Sequence, residues 1–256
     1  MNEKPLNGKS SLPALAALDQ LERVEQQREQ LARCTDVTVV LDSSGSMATH
    51  REATIDGFNG YIKALRAEVP GARLSLMPFD SDERGTPRLA FRYSDKPIDS
   101  VPLLSRQSYV PDGGTPLYDA VGRAIETAEE RNDRPGTRAR VIIVVQTDGH
   151  EGGSERYTQS ALQRRIAEKQ AAGWLFVFLG AGIDAIRGGG ALGILPAHSL
   201  TYSGRKSNEA FTALSAVTKG YASVGDAKRV GFSAEQRAAS IGQLGSGTRS
   251  SSGTRS

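Results

Sequence analysis

Two short runs of apolar, mostly β-branched residues constrain this chain more than any other feature of its sequence. Val37–Leu41 leads directly into Asp42, and Val141–Val145 is followed after two polar residues by Asp148. Continuous apolar runs of this length are typical of strands in parallel sheets that helices cover on both faces. We therefore predict two central strands, each leading to a carboxylate.

Helical and strand patterns alternate along the rest of the chain. The predicted helices cover residues 53–66, 117–130, 158–172, 184–187 and 208–221, and the other predicted strands cover 73–79, 88–93, 174–179 and 199–202. The link 80–87 is short enough for an antiparallel hairpin. The order predicts an α/β fold with a doubly wound, mostly parallel, six-stranded sheet, one antiparallel edge strand and helices on both faces, in the Rossmann-like manner.

Four segments differ in character. Residues 1–34 carry an amphipathic helical stripe of Leu and Val, which either packs on its own domain or forms a partner helix or coiled coil. Residues 35–222 form the predicted main domain, and 223–245 form a C-terminal extension. Residues 246–256 repeat Ser-Gly-Thr-Arg-Ser and are expected to be disordered.

Composition restricts the compartment and the partners. The formal net charge is only +3, which is too little for an electrostatic footprint on nucleic acid. Cys34 is the only cysteine, so an intramolecular disulfide is impossible and a reducing compartment is expected. The longest apolar runs are too short to cross a bilayer, and the first 30 residues do not resemble a secretion signal. We expect a soluble, cytoplasmic protein.

Oxygen-bearing side chains follow the predicted central strands. Asp42, Ser44 and Ser46 form Asp-x-Ser-x-Ser, Asp148 follows the second strand, and Thr115 stands in Gly113-Gly114-Thr115-Pro116 between them. The carboxyl ends of neighbouring parallel strands meet at one edge of the sheet. Carboxylates and hydroxyls are hard ligands suited to Mg²⁺. The Gly-Gly pair predicts that Thr115 stands on a loop that is free to shift.

Each motif has a simpler interpretation when taken alone. Asp-x-Ser-x-Ser is common in turns, and Asp148-Gly149 is a turn sequence. Thr115 before Pro116 is expected to cap the start of a helix, which does not exclude metal ligation. The conjunction of the three motifs favours a metal site.

This conjunction, in this chain order, resembles the von Willebrand factor type A (VWA) domain over about residues 35–222. The stretches 54–62, 79–80, 109–120 and 176–180 are similar to stand-alone intracellular VWA proteins of bacteria and phages. The resemblance implies a metal-ion-dependent adhesion site. In such a site the hydroxyls of Ser44, Ser46 and Thr115 would contact the ion, and Asp42 and Asp148 would mostly hold its waters.

The expected function is a protein–protein interaction that depends on Mg²⁺ or Mn²⁺, in which a partner supplies an Asp or Glu to the ion. The resemblance implies an ATPase or a stress-response protein as partner, and we expect neither nucleic acid nor membrane. The alternatives are a Mg²⁺-dependent enzyme for phosphoryl transfer or hydrolysis, and a scaffold. We assign no catalytic residue, because the sequence contains no phosphate-binding loop and no motif that would position a general base.

Weaker features have structural interpretations. Residues 180–185 match a dinucleotide fingerprint, but tight-turn glycines explain them better. His50 and His150 are expected to be solvated loop residues rather than general bases. Nothing in the sequence around His198 indicates a function. Asp80 and Asp82 are expected in a turn, with an alternative role in the charge of the site's rim.

Overall fold

The computed structural model describes residues 34–133 and 139–242, which form seven strands and six α-helices. The strands are β1 (Thr35–Asp42), β2 (Arg73–Ser81), β3 (Pro87–Arg88), β4 (Tyr93–Pro97), β5 (Arg140–Thr147), β6 (Leu175–Ala181) and β7 (Ser199–Tyr202). The helices are α1 (Arg51–Glu68), α2 (Leu117–Asn132), α3 (Gln159–Ala171), α4 (Ala185–Ala191), α5 (Ser207–Val224) and α6 (Ala234–Ile241). The predicted N-terminal helix and C-terminal tail lie outside the described residues.

The sheet has the order β3-β2-β1-β5-β6-β7, and β4 also pairs with β2. All pairs between β2 and β7 along this order are parallel, whereas β3 and β4 run antiparallel to β2. The chain leaves β1 toward β2 on one side and returns to β5 on the other. The strand order therefore reverses at β1 and β5, where open α/β sheets place their binding crevice.

Helices cover both faces of the sheet, and each face has its own hydrophobic cluster. Val37, Val39 and Leu41 of β1 point to the cluster under α1 and α5. Val40 points to the cluster under α2, α3 and α4. Because side chains alternate between the faces of a strand, one continuous apolar run supplies both clusters. The prediction of a doubly wound, mostly parallel α/β fold is confirmed.

The antiparallel edge differs in detail from its prediction. The strand expected over 88–93 is wrong in position, because β3 ends at Arg88 and β4 begins at Tyr93. Leu89 and Phe91 lie between these two short strands and pack against the cluster under α2 and α3. The alternation of apolar and polar residues over 88–93 therefore reflects partial burial of Leu89 and Phe91 and does not reflect regular pairing with another strand. The single edge strand expected is divided in two, which gives seven strands rather than six.

A buried ion pair joins α2 to the start of β1. Arg131 donates from Nε to Asp36 Oδ2 at 2.9 Å and from Nη2 to Thr38 Oγ1 at 2.8 Å. The side chains of Arg131 and Asp36 are each only 6% exposed. Burial raises the pKa of Asp36, and the Arg131 charge opposes that rise. The guanidinium therefore favours the ionised form of a carboxylate whose charge is costly to bury.

The C-terminal extension covers the outer edge of β7. Arg237 donates to the carbonyls of Ser199 and Pro196 at 2.6 and 2.8 Å, and the Ser240 hydroxyl donates to Thr201 O at 2.7 Å. Ser203 N in turn donates to Ser240 O at 3.0 Å. These bonds satisfy backbone groups that an edge strand otherwise leaves open.

No helix within residues 34–133 and 139–242 combines the length and the hydrophobicity that a membrane span requires.

Replacing Ile143 with Ala should lower the free energy of unfolding by about 2–5 kcal/mol, because it removes buried methylenes and leaves a cavity. Ile143 lies in the middle of β5 and is 0% exposed. Urea denaturation followed by circular dichroism measures the change. Ile186→Ala is the matched control, since Ile186 is 47% exposed and its loss should change stability by no more than about 0.5 kcal/mol. Equal midpoints for the two variants would contradict a central position for β5.

Replacing Arg131 with Met should cost about 3–5 kcal/mol, because Asp36 is then buried without its cation. Adding Asp36→Asn to that variant should restore much of the loss, since the unpaired charge is gone. The two variants are compared by urea denaturation at neutral pH. A double variant less stable than Arg131→Met alone would show that the pair is not the cause.

Candidate metal centre

The candidate site lies at the carboxyl ends of β1 and β5, the two strands at which the sheet order reverses. Leu41 is paired with Gln146, so the next residues of the two strands, Asp42 and Thr147, end side by side. The Thr147 hydroxyl donates to Asp42 Oδ2 at 2.5 Å. The two predicted carboxylates, Asp42 and Asp148, therefore flank one small region of the sheet edge.

Asp42 is fully buried, and hydrogen bonds satisfy its carboxylate without any cation. Its Oδ1 accepts from Ser44 N at 2.7 Å, in addition to the Thr147 bond to Oδ2. No Lys, Arg or His in the described part of the chain lies within ion-pair distance of it. Burial raises the pKa of Asp42, the negative charge of Asp148 adds to that rise, and the hydrogen bonds oppose it. A nearby divalent cation would offset the cost of this buried charge.

A chain of short contacts links four of the five predicted site residues. The hydroxyls of Ser44 and Ser46 are 3.1 Å apart, and the Ser46 hydroxyl donates to Asp148 Oδ1 at 2.6 Å. Ser44 also bonds Asp42, as described above. The structure therefore brings Asp42, Ser44, Ser46 and Asp148 together, although 102 positions separate Ser46 from Asp148 in sequence.

The loop before Thr115 is held against the same edge by backbone bonds. Asp112 N donates to Ser43 O at 2.7 Å, and Gly45 N donates to Gly113 O at 3.0 Å. Gly114 N donates to the Ser81 hydroxyl at 2.8 Å. Gly113 has a φ of +69°, and a Cβ there would lie 1.9 Å from Ser81 O, so only glycine fits. The loop is better anchored than its two glycines predict.

Thr115 is placed beside the turn that carries Asp148. A Cβ on Gly149 would lie 3.4 Å from Thr115 Oγ1, and Gly152 N donates to Thr115 O at 2.9 Å. The Thr115 hydroxyl makes no hydrogen bond to any other described residue. The fifth predicted residue therefore lies beside Gly149, the neighbour of Asp148, and its hydroxyl has no partner among the described residues.

The expectation that Thr115 caps a helix is wrong. Helix α2 begins at Leu117, and its N-cap position is Pro116, which has no side-chain oxygen. The following loop caps the helix instead, because Glu151 Oε2 accepts from Tyr118 N at 2.8 Å and Ser154 Oγ accepts from Asp119 N at 3.1 Å. The Thr115 oxygen is one position too early to cap and remains free for another partner.

Asp119 and Glu151 were not recognised from the sequence, yet they fix the loop after Asp148. The Asp119 carboxylate accepts from the backbone N–H groups of Glu155, Arg156 and Tyr157 at 2.7–3.0 Å. Glu151 also accepts from Ser154 N at 2.8 Å. The sequence shows that Asp119 lies in the first turn of α2. That position does not predict which loop its carboxylate binds.

Asp80 and Asp82, both expected in a turn, differ in their surroundings. Asp82 accepts from the backbone of Arg84 and Thr86, which confirms a turn. Asp80 instead bonds Ser43 and forms an ion pair with Arg88.

The three histidines also differ from one another. His150 is exposed, as expected. His50 is only partly exposed and lies 4.0 Å from Asp148 Oδ2. His198 is buried, with Nε2 at 3.0 Å from Ala227 O and 3.1 Å from Val230 O, so it helps to hold the C-terminal extension.

The glycines after β6 permit close packing and a tight turn. Helix α4 has only seven residues. A Cβ on Gly189 would lie 2.4 Å from Ser199 Oγ, and one on Gly188 would lie 3.0 Å from Phe178 Cζ. These two glycines let α4 lie directly on β6 and β7. Within residues 180–185, Gly182 has a φ of +73° and a Cβ on Gly180 would lie 2.9 Å from the Cβ of Ala185, as the tight-turn interpretation favours.

The donor set fits a hard divalent cation. It consists of two carboxylates and three hydroxyls, from Asp42, Asp148, Ser44, Ser46 and Thr115. Oxygen ligands of this kind suit Mg²⁺ or Mn²⁺ rather than zinc. Within the described residues, no group of three or more His, Cys, Asp or Glu side chains could hold a metal ion. An ion held here would therefore take much of its coordination from hydroxyl oxygens.

A family model decides what kind of domain this is. The model for the von Willebrand factor type A domain matches residues 36–188, more than half of the chain. The chain belongs to the VWA family. VWA domains commonly bind a divalent metal ion and often mediate adhesion or protein interaction. The family resemblance drawn from the sequence motifs is thus confirmed.

A solved structure with a TM-score above 0.5 supports the same fold. The pilus adhesin SpaC from Lactobacillus rhamnosus GG is similar, with a TM-score of 0.53 and 11% identity over 73% of this chain and 31% of that one. The VWA protein from Catenulispora acidiphila has a TM-score of 0.47 and 18% identity over 73% and 43% of the two chains.

Manganese-loaded TRAP from Plasmodium vivax has a TM-score of 0.47 and 16% identity over 72% of this chain and 74% of that one. This chain thus spans less than half of SpaC and of the Catenulispora protein. No curated protein matches the sequence.

Replacing Asp42 with Ala should abolish binding of Mg²⁺ or Mn²⁺, because it removes the buried carboxylate around which the site is built. The melting temperature of the wild-type protein should rise when either ion is added, because a ligand that binds only the folded state stabilises that state. Titration calorimetry and thermal unfolding measure both effects. Asp56→Ala, at an exposed position of α1, is the matched control and should bind as the wild type does. Equal heats for Asp42→Ala and wild type would rule out this site.

Proposed function

We propose that this VWA domain is a protein-interaction module in which a Mg²⁺ or Mn²⁺ ion at the site binds an Asp or Glu of a partner protein. The observation that supports this is the buried Asp42 carboxylate, which lies among hydroxyls and a second carboxylate and forms no ion pair with a Lys, Arg or His of residues 34–133 and 139–242. A divalent ion is the group that such a set of oxygens suits best.

The chemistry of the donors favours an acidic partner. Ser44, Ser46 and Thr115 would hold the ion by neutral hydroxyls, and Asp42 and Asp148 would bind the waters of the ion. Neutral ligands leave much of the ion's positive charge uncompensated. A partner carboxylate that approaches the ion therefore finds a strong opposite charge instead of being buried unpaired.

The single cysteine, Cys34, supports a reducing and hence cytoplasmic compartment for this interaction.

A Mg²⁺-dependent enzyme is the second candidate, and the position of His50 is the observation that favours it. The His50 imidazole lies beside Asp148, within 4.0 Å, at the edge of the proposed site, where a general base would be useful. A turnover screen with phosphate esters and nucleotides in Mg²⁺ distinguishes the two. Turnover that is lost in His50→Gln would replace the binding proposal with an enzymatic one.

Replacing Thr115 with Ala should preserve the fold and much of the metal affinity but weaken partner binding strongly. Thr115 has an available hydroxyl, whereas Ser44 and Ser46 directly follow a buried strand and would keep most of the ion's contacts. Thr115→Ser retains the oxygen and should lose less. Pull-downs in Mg²⁺ and in chelator, followed by binary binding assays with the partner recovered, measure the effect.

The complex should dissociate in chelator, and the partner should lose binding when the responsible Asp or Glu is replaced. Wild-type affinity of Thr115→Ala, combined with equal binding in chelator, would show that recognition uses another surface.

A further inference from the structure

A small pocket lies directly beside the proposed metal site. Its volume is about 60 Å³, and it opens at the sheet edge between the loop after Asp148, the first turn of α2 and helix α4. The residues that shape it include Leu117, Tyr118, Gly149, His150, Phe178 and Leu192. The pocket is far smaller than the roughly 300–1,000 Å³ of small-molecule clefts, so it is sized for part of one side chain.

The pocket and the metal site share their walls. Gly149 follows Asp148 directly, and the position of its missing Cβ lies 3.4 Å from the Thr115 hydroxyl oxygen. Leu117 follows Thr115 by two residues. A partner residue bound at the ion therefore has its chain neighbours next to this opening.

The lining of the pocket is mainly apolar, and packed core residues form its walls. Leu117, Phe178 and Leu192 are at most 5% exposed, so each shows only a small part of its side chain to the opening. Gly188 lets α4 approach the Phe178 ring, which closes the back of the pocket.

Charge at this edge does not define the second contact of the partner. Arg88, Arg106 and Arg156 already form ion pairs. Arg84, Arg187 and Arg205 are exposed and form no ion pair within the described residues. None of these arginines lines the pocket, so the pocket offers a contact of a different, apolar kind.

We propose that the partner places an aliphatic side chain, one to three residues from its metal-bound Asp or Glu, in this pocket. This inference rests on the proposed function, because the carboxylate is what brings the partner chain to the edge. The occupant is a branched aliphatic group such as the end of Leu, Ile or Val, or the end of Met. Burying such a group away from water supplies affinity that a lone carboxylate at an exposed ion lacks.

The test uses a displayed peptide library with one fixed Asp or Glu and three random positions on each side. The full chain is panned in Mn²⁺, and bound clones are eluted with chelator. Ala191→Trp fills the pocket from its rim, since Ala191 lines it and ends α4. Ala171→Trp is the matched control, because Ala171 ends α3 at an exposed position outside the pocket.

Clones eluted by chelator should prefer Leu, Ile, Val or Met at a fixed distance from the acid. They should bind Ala191→Trp about tenfold or more weakly than wild type, and Ala171→Trp as wild type does. Mn²⁺ affinity should be the same in all three proteins. If Ala191→Trp fails to fold, Ala191→Leu takes its place.

Metal-dependent clones without an aliphatic preference, or with equal affinity for Ala191→Trp, would overturn the subsite while leaving the metal-dependent interaction intact. A library that yields no chelator-eluted clone would contradict the metal-dependent interaction and the subsite together.

Discussion

The structure of the binding edge depends on one buried carboxylate. Asp42 ends a central strand, is 0% exposed and has no cation within reach in the described chain. Its two oxygens are satisfied by Ser44 N and the Thr147 hydroxyl, and its carbonyl accepts from the Tyr109 hydroxyl. The bonds to the charged oxygens join the segment after β1 to the end of β5, and the Tyr109 bond to the backbone carbonyl of Asp42 adds the segment between β4 and α2.

Much of the fold, and the residues that lie near one another at the candidate site, could be predicted because the sequence patterns that indicate them are short and continuous. The runs around Val37–Leu41 and Val141–Val145 specify buried strands by composition alone, and parallel pairing brings their ends together. Asp42, Ser44 and Asp148 directly follow those strands, so their neighbourhood follows from the topology. Their role as metal ligands remains a prediction that rests on chemistry and on the family.

The details that sequence reasoning missed depend on contacts between distant residues. The sequence predicts that Thr115 caps a helix, but Glu151 supplies that cap by accepting from Tyr118 N, 33 positions away. Asp119 fixes residues 155–157 across a similar separation. Leu89 and Phe91 alternate like a strand, but they reach the core from between two short strands. Local patterns report how polar a position is and do not identify its partner.

The covering of β7 has a consequence for assembly. Arg237 and Ser240 occupy the outward carbonyls of that strand, and Ser203 N is bound as well. A neighbouring molecule therefore cannot extend the sheet by pairing with β7 unless α6 first leaves. The short segments β3 and β4 make a poor template at the opposite edge. Copies of this domain are thus protected from joining edge to edge into continuous sheets.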